Sequence, residues 1–185
     1  KLGRGVGALL KSNGVDVVEG TARFVDRKHV DVRDSDGETT RIHADKMVIA
    51  TGGKPVWPSF LPAPSSRLLT SRAALQMKTL PASILILGGG IIGSEWACMF
   101  ARLGVRVTVV EMLPSILPGQ DETACRTLAR SMKALGVDLR TNTRLEAVQE
   151  TADGVCATVG GDTLQADCML VSVGRQPQTE GLDVE

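Results

Sequence analysis

The segment that most constrains the fold of this 185-residue chain is SILILGGGIIGSE, from Ser83 to Glu95. Ile84 to Leu87 is apolar without interruption, the pattern of a strand buried on both faces. Three glycines follow, and from Ile91 the apolar residues recur at helical spacing. Each glycine of a strand–turn–helix unit has a physical task. Gly88 permits the tight turn, Gly90 lets the backbone approach a pyrophosphate, and Gly93 lets the helix pack closely on the sheet. The phosphates would be held by unsatisfied N–H groups and the positive end of the helix dipole. A second strand, Arg106 to Val110, ends at Glu111, 23 residues beyond Gly88. That is close to the spacing of about 20 at which an acid accepts the ribose hydroxyls of adenosine. The carboxylate repels a 2′-phosphate, and Met112-Leu113-Pro114 offers no cation for one. NAD(H) is therefore expected over NADP(H).

The surroundings suit such a unit. Ile91 to Leu103 reads as a helix with Ile92, Trp96, Met99, Phe100 and Leu103 on its apolar face. Glu122 to Leu135 reads as a second helix, capped by Asp121 and stopped by Gly136. Thr70 or Ser71 opens a short helix reaching Met77. Alternating apolar strands and helices predict a parallel sheet covered by helices on both faces. Short β runs lie at Ala147–Glu150, Val155–Val159 and Thr163–Val173. Before the glycine turn, a helix ends at Asn13-Gly14. Further β runs follow at Val15–Val18, Ala22–Val25, His29–Arg33, Thr39–Ala44 and Met47–Ala50, the third and fourth joined through Asp34-Ser35-Asp36-Gly37. Pro55, Pro58, Pro62 and Pro64 make Lys54–Ser66 an extended linker.

The β-rich stretches repeat. At a constant offset of 122 residues, Gly14-Val15-Asp16 falls on Gly136-Val137-Asp138 and Thr21 on Thr143. Ala44-Asp45 falls likewise on Ala166-Asp167, Met47 on Met169, Gly52 on Gly174 and Pro55 on Pro177. A shared β composition explains the valines but not the register, so internal duplication is the reading adopted. The expected architecture is α/β. One Rossmann-like nucleotide-binding domain, a parallel sheet with an inserted antiparallel β-meander, is preceded by the back half of a second similar domain. Since the first residue is Lys1 and the first copy lacks its glycine turn, the chain reads as a piece of a longer protein.

Composition closes other routes. Lys+Arg and Asp+Glu both number 21, without the basic excess a nucleic-acid binder needs. No apolar run approaches the roughly 18 residues of a membrane span, and no signal peptide is visible. A soluble, cytoplasmic protein without nucleic-acid or membrane partners is expected. Cys98, Cys125, Cys156 and Cys168 match no zinc or disulfide spacing and read as small hydrophobes. His29 and His43 read as surface residues, and no metal site is expected.

Several stretches resemble the flavin-dependent pyridine-nucleotide disulfide oxidoreductases. They are Gly88 to Glu95, Val109-Val110-Glu111-Met112, Ile116-Leu117-Pro118 before Asp121, Ile49 to Pro55, and Val173-Gly174-Arg175-Gln176-Pro177. Within that family the dihydrolipoamide dehydrogenases fit best. The resemblance implies that Gly88, Gly89, Gly90, Ile91, Ile92, Gly93, Ser94, Glu95 and Glu111 hold NAD, with Leu145 beside the adenine and Gly174 near the nicotinamide ribose. It also implies that the backbone around Ala22 contacts the FAD adenine and that Thr51, Gly52 and Gly53 lie along FAD. Glu95 reads either as a solvent-facing charge at the helix start or, by resemblance, as a group near the nicotinamide–flavin contact. The implied division is 1–67, part of an FAD domain with its linker; 68–178, the NAD domain; and 179–185, a return toward the FAD domain.

In that family dihydrolipoamide reduces a disulfide, which reduces FAD, which passes a hydride to NAD. The implied parent is a homodimer serving the lipoyl domain of a 2-oxo acid dehydrogenase or glycine-cleavage complex. This chain lacks the family's closely spaced redox cysteines, its later FAD-contacting Gly-Asp motif and its His–Glu acid–base pair. Alone it is expected to be inactive. The alternatives are another flavin-dependent NADH oxidoreductase (NADH oxidase, mercuric or ferredoxin reductase type) or a non-catalytic NAD-sensing module.

Overall fold

The computed structural model describes residues 2–183, which form two compact units. Among the described residues the first comprises 2–52 and 177–183, the second Gly53–Gln176. The first unit opens with helix α1 (Leu2–Ser12), followed by strands β1 (Thr21–Phe24), β2 (His29–Arg33) and β3 (Thr39–His43). These strands make an antiparallel meander in the order β1-β2-β3. The β2–β3 turn is the expected one, with Asp34 Oδ1 accepting from the Asp36 and Glu38 N–H groups.

The second unit begins with β4 (Gly53–Pro55), β5 (Leu68–Thr70) and the one-turn helix α2 (Ser71–Ala74). Thr70 caps α2, its hydroxyl accepting from the Ala73 N–H at 3.1 Å. Strand β6 (Ser83–Leu87), helix α3 (Ile91–Arg102), β7 (Arg106–Val110), α4 (Glu122–Ala134) and β8 (Asp138–Arg140) follow. Then come the meander β9 (Leu145–Glu150), β10 (Val155–Val159) and β11 (Asp162–Ala166), and finally β12 (Cys168–Val171) and β13 (Arg175–Pro177). Strands β5-β12-β6-β7-β8 form one parallel sheet, and β13 pairs with β4 in a separate ribbon.

Helices cover only one face of this sheet, contrary to the two-sided cover expected from the alternation. Ile84, Ile86, Val107 and Val109 pack with Trp96 and Phe100 of α3 and Met132 of α4. On the other face Leu85, Leu87 and Met169 pack with Val148, Val155, Ala157 and Val159 of the meander. Right-handed crossovers explain this. The links β5→β6, β6→β7 and β7→β8 all advance the same way along the sheet and put α2, α3 and α4 on one side. The return from β8 to β12 runs backwards, so its connection, the meander, lands on the other side.

The expected apolar face of α3 is also corrected. Its buried residues are Gly93, Ser94, Trp96, Ala97 and Phe100, while Met99 and Leu103 are exposed. A stripe containing small residues lets the helix axis approach the sheet, and that closeness outweighs the burial of two larger side chains. The proline-rich segment is docked rather than a free tether. Leu61 is buried against the meander side of the sheet with Trp57 beside it, and Trp57 Nε1 donates to the Pro62 carbonyl at 2.9 Å. The run expected at Thr163–Val173 is two strands in different sheets, broken at Asp167, whose carboxylate accepts from the N–H groups of Ala82 and Ser83.

The duplication is visible in the backbone. Displaced by 122 residues, α1 falls on the latter part of α4, β3 nearly on β11, and β4 on β13. The helix stops are bonded identically: Gly14 N–H to Lys11 and Val15 N–H to Leu10, against Gly136 to Lys133 and Val137 to Met132. The first unit thus repeats the back half of the second. Residues 15–18 and 47–50, expected as strands, are irregular, whereas their counterparts fall in β8 and β12.

Candidate functional site

The parallel strands β6 and β7 end side by side. Gly88 N–H donates to the Val110 carbonyl at 2.8 Å, which carries the ladder one rung into the glycine turn. Gly88 has φ of +103°, and a Cβ there would lie 2.6 Å from the Ser172 carbonyl oxygen. At Gly93 a Cβ would lie 1.9 Å from the Gly88 carbonyl oxygen, so the first turn of α3 rests directly on the strand end. Around Gly90 the space a Cβ would enter is open. Gly90 is the N-cap of α3 and contributes no side-chain bond to the first-turn N–H groups. Gly88 and Gly93 are thus sites of close backbone approach, whereas Gly90 leaves its backbone bare toward open space.

Glu111 is the buried acid of this region, 6% exposed. Its Oε2 accepts from the Gly89 N–H at 2.7 Å and its Oε1 from the Leu113 N–H at 2.8 Å. The carboxylate ties the glycine turn to the loop after β7. The same loop is bound from behind, with Leu117 N–H donating to the Gly89 carbonyl and Thr143 N–H to the Glu111 carbonyl. Leu117 pays for its position: its φ of 52° is a left-handed conformation rarely adopted by a branched side chain.

These loops enclose a cavity of about 890 Å³. Of the residues expected at the NAD site, Gly88, Gly90, Ile91, Ile92, Glu111, Leu145 and Gly174 line it. Gly89 and Gly93 lie behind its wall. Ser94 is buried, its hydroxyl donating to the Gly89 carbonyl at 3.2 Å. Glu95 is exposed in the first turn of α3 and is not part of the lining. Phe60, Arg144 and Arg175 also line the cavity. Phe60 and Arg144 were not singled out by motif. The one signal in the sequence was Phe60 itself, an aromatic in the proline-rich segment of a chain with only 3% aromatic residues, and Arg144 had none. The residues expected along FAD lie elsewhere. Ala22 is half-buried in β1, and Thr51 and Gly52 are exposed, with Gly52 at φ +80°. Gly53 opens β4.

The donor set suits a dinucleotide. A bare backbone at Gly90 and an uncapped helix start can meet a pyrophosphate, Arg144 and Arg175 add positive charge, and Glu111 offers an acceptor to ribose hydroxyls. The volume lies in the range of cofactor-sized pockets. The thiols do not resemble redox groups. All four cysteines are free, and burial pushes the Cys168 thiol up to about 11.

The family model for pyridine nucleotide-disulphide oxidoreductases matches residues 1–185. The chain belongs to that family. A dihydrolipoyl dehydrogenase of Bacillus subtilis is 36% identical over 187 residues, covering 100% of this chain and 41% of the relative. One from Pseudomonas aeruginosa is 39% identical, covering 100% of this chain and 40% of its own length. The chain therefore spans about two-fifths of these relatives. Among solved structures, LpdA from Mycobacterium tuberculosis superposes with a TM-score of 0.84 at 31% identity, covering 97% of this chain and 41% of that one. The HOCl-induced flavoprotein disulfide reductase RclA from Escherichia coli gives 0.75 at 31% identity, covering 96% and 42%. Among the described residues of this family member, no helix is long and apolar enough to cross a membrane.

Proposed function

We propose that this chain is the NAD-binding portion of a flavin-dependent oxidoreductase of dihydrolipoamide dehydrogenase type. The observation that carries the reading is Glu111, buried at the tip of β7 and bonded to the glycine turn on a cofactor-sized cavity. Gly90 and the N–H groups opening α3 would bind the pyrophosphate, and Glu111 the adenosine ribose. Leu145 would flank the adenine, and Gly174 the nicotinamide ribose. Bound NAD supplies the hydride acceptor. The chain's own part is to orient it, with Glu95 at the nicotinamide end. Ala22, Thr51, Gly52 and Gly53 would border FAD, within an FAD portion at 1–67, an NAD domain at 68–178 and a return at 179–185.

The whole enzyme would be a cytoplasmic homodimer that oxidises dihydrolipoamide, free or on the lipoyl domain of a multienzyme complex, to lipoamide. Its redox disulfide would come from sequence other than these four cysteines. Similarity to the disulfide reductase RclA favours one second reading, a flavin disulfide reductase with another substrate. An anaerobic titration of the intact protein with dihydrolipoamide separates the two. A long-wavelength thiolate–flavin charge-transfer band is the result expected of the first. A flavin that stays oxidised with dihydrolipoamide yet bleaches with NADH moves the assignment to the second. If NADH also fails to bleach it, the NAD assignment falls.

A further inference from the structure

The chain's two histidines, His29 and His43, lie far apart in sequence but directly opposite each other on β2 and β3. Side chains on paired strands alternate between faces. Val30, Val32 and Ile42 therefore lie on one side, and His29, Asp31, Arg41 and His43 on the other. The next rung but one is locked by Arg41, whose Nε and Nη2 donate to the two oxygens of Asp31 at 2.7 and 2.9 Å. The imidazoles thus stand on a braced polar face, and the His29 side chain is 37% exposed.

Their geometry suits a shared ligand. The ring centroids are 5.1 Å apart, with the planes tilted by 54°. A transition metal sits about 2.0–2.1 Å from an imidazole nitrogen, so two rings bound at roughly 90–109° have centres about 4.5–5.2 Å apart. A second observation bears on which nitrogen is available. Asp26 Oδ1 accepts from the N–H groups of Lys28 and His29 at 2.7 and 2.9 Å, which fixes the carboxylate in place. Its oxygens lie 2.9 Å from His29 Nδ1. The same carboxylate that takes these two backbone N–H bonds thus also faces the ring nitrogen. A carboxylate oxygen accepts, so in this contact Nδ1 is the donor and Nε2 is the nitrogen available to a metal. A carboxylate behind a histidine that sets its tautomer is the usual outer support of a metal ligand.

We propose that His29 and His43 form a two-imidazole chelate for a divalent first-row transition ion, with Asp26 as the orienting residue. Among the described residues no cluster of three or more metal-binding side chains occurs, so water or a further ligand would complete the coordination. Imidazole pairs select copper, nickel and zinc over magnesium or calcium. The site shares no residue with the lining of the NAD cavity.

The test is a titration of the metal-free intact protein, thiols alkylated, with Ni²⁺ and separately Cu²⁺ by calorimetry. One saturable equivalent per chain, tighter for Cu²⁺, is expected, with a two-nitrogen signature in the Cu²⁺ paramagnetic resonance spectrum. His43→Phe keeps a ring on the rung and removes its nitrogens. It and His29→Gln should each weaken binding tenfold or more, and Asp26→Asn about tenfold. Circular dichroism of each variant checks that the fold is retained. Absence of saturable binding, unchanged affinity in His43→Phe, or loss with only one of the two histidine variants would overturn the chelate.

Discussion

Leu170 and Val48 are counterparts in the duplication, yet Leu170 is 0% exposed in the parallel sheet and Val48 is 90% exposed in irregular chain. The same contrast holds between Val137, which is buried, and Val15, which is not. By comparison the meanders, the glycine helix stops and the short strands β4 and β13 form in both copies of the repeat. A hairpin or helix stop satisfies its own backbone within a few residues. A parallel strand does not, because its partners must be brought from elsewhere in the chain. The difference shows which parts of this fold are local and which are tertiary. The cavity belongs to the second kind, since it sits where two parallel strands end together.

The largest expected effect breaks this contrast most directly. Leu170→Ala should cost the second unit about 2–5 kcal/mol through lost burial and the cavity left behind. Val48→Ala should change stability by no more than about 0.5 kcal/mol. Far-UV circular dichroism in a urea titration follows the unfolding of both units, and the fluorescence of Trp57 and Trp96, both in the second, follows that unit alone. Equal costs at the two positions would mean that the first copy is packed after all.

Next in size is the acid that only the complete unit has placed. Glu111→Ala should weaken NADH binding by about 1.5–3 kcal/mol, the range for hydrogen bonds to a charged group. It removes an acceptor for the ribose and frees the Gly89 and Leu113 N–H groups together. Glu111→Gln keeps only one acceptor oxygen and should fall between. Calorimetric titration with NADH measures both, and unchanged affinity in Glu111→Ala would remove the residue from the site.

Much of this was legible. The glycine turn, β6, β7, both long helices, the Asp121 cap and Gly136 stop of the second, and the repeat were readable because each rests on a short-range rule. The face of α3 was not, since large apolar residues weigh most in a periodicity while Gly93 and Ala97 decide how close the helix lies. The strands at 15–18 and 47–50 were expected from valine content alone, and valine does not supply a neighbouring strand. At the site, Glu111 was found by its distance from Gly88. Phe60 and Arg144 reach the cavity from segments without a motif, so only the folded chain brings them there.

Asp167 and Asp45 sharpen the comparison further. Asp167 Oδ2 accepts from the Ala82 N–H at 2.6 Å and its Oδ1 from the Ser83 hydroxyl at 3.1 Å, pinning the start of β6. Asp45 instead meets the Lys28 ammonium at 3.0 Å in an exposed pair. Asp167→Ala should cost about 1–2 kcal/mol, partial exposure keeping it toward the low end. Asp45→Ala should cost little. The Ala82 N–H, and then Ser83, hold the Asp167 carboxyl below its ordinary value. Its stabilisation is therefore full above that value and is lost as pH falls through the lowered one. Acid titrations of wild type and Asp167→Ala should converge below that window, and parallel curves would show that Asp167 is not the titrating group.

The last effect is the one expected to be equal in the two units. Gly14 and Gly136 have φ of +69° and +83°, with nothing within 4 Å of the Cβ each lacks. Alanine at either position meets no clash, so its cost is the backbone alone, about 1–2 kcal/mol for a left-handed residue. Because the bonds that close α1 and α4 are the same, Gly14→Ala and Gly136→Ala should lose that amount alike. Amide exchange at Val15 and Val137 measures it, since each N–H closes its motif on the carbonyl five residues back. A clearly larger loss at Gly136 would mean that the sheet, and not the helix stop, sets its conformation, and the division between local and tertiary features would then fail where it is most exposed to test.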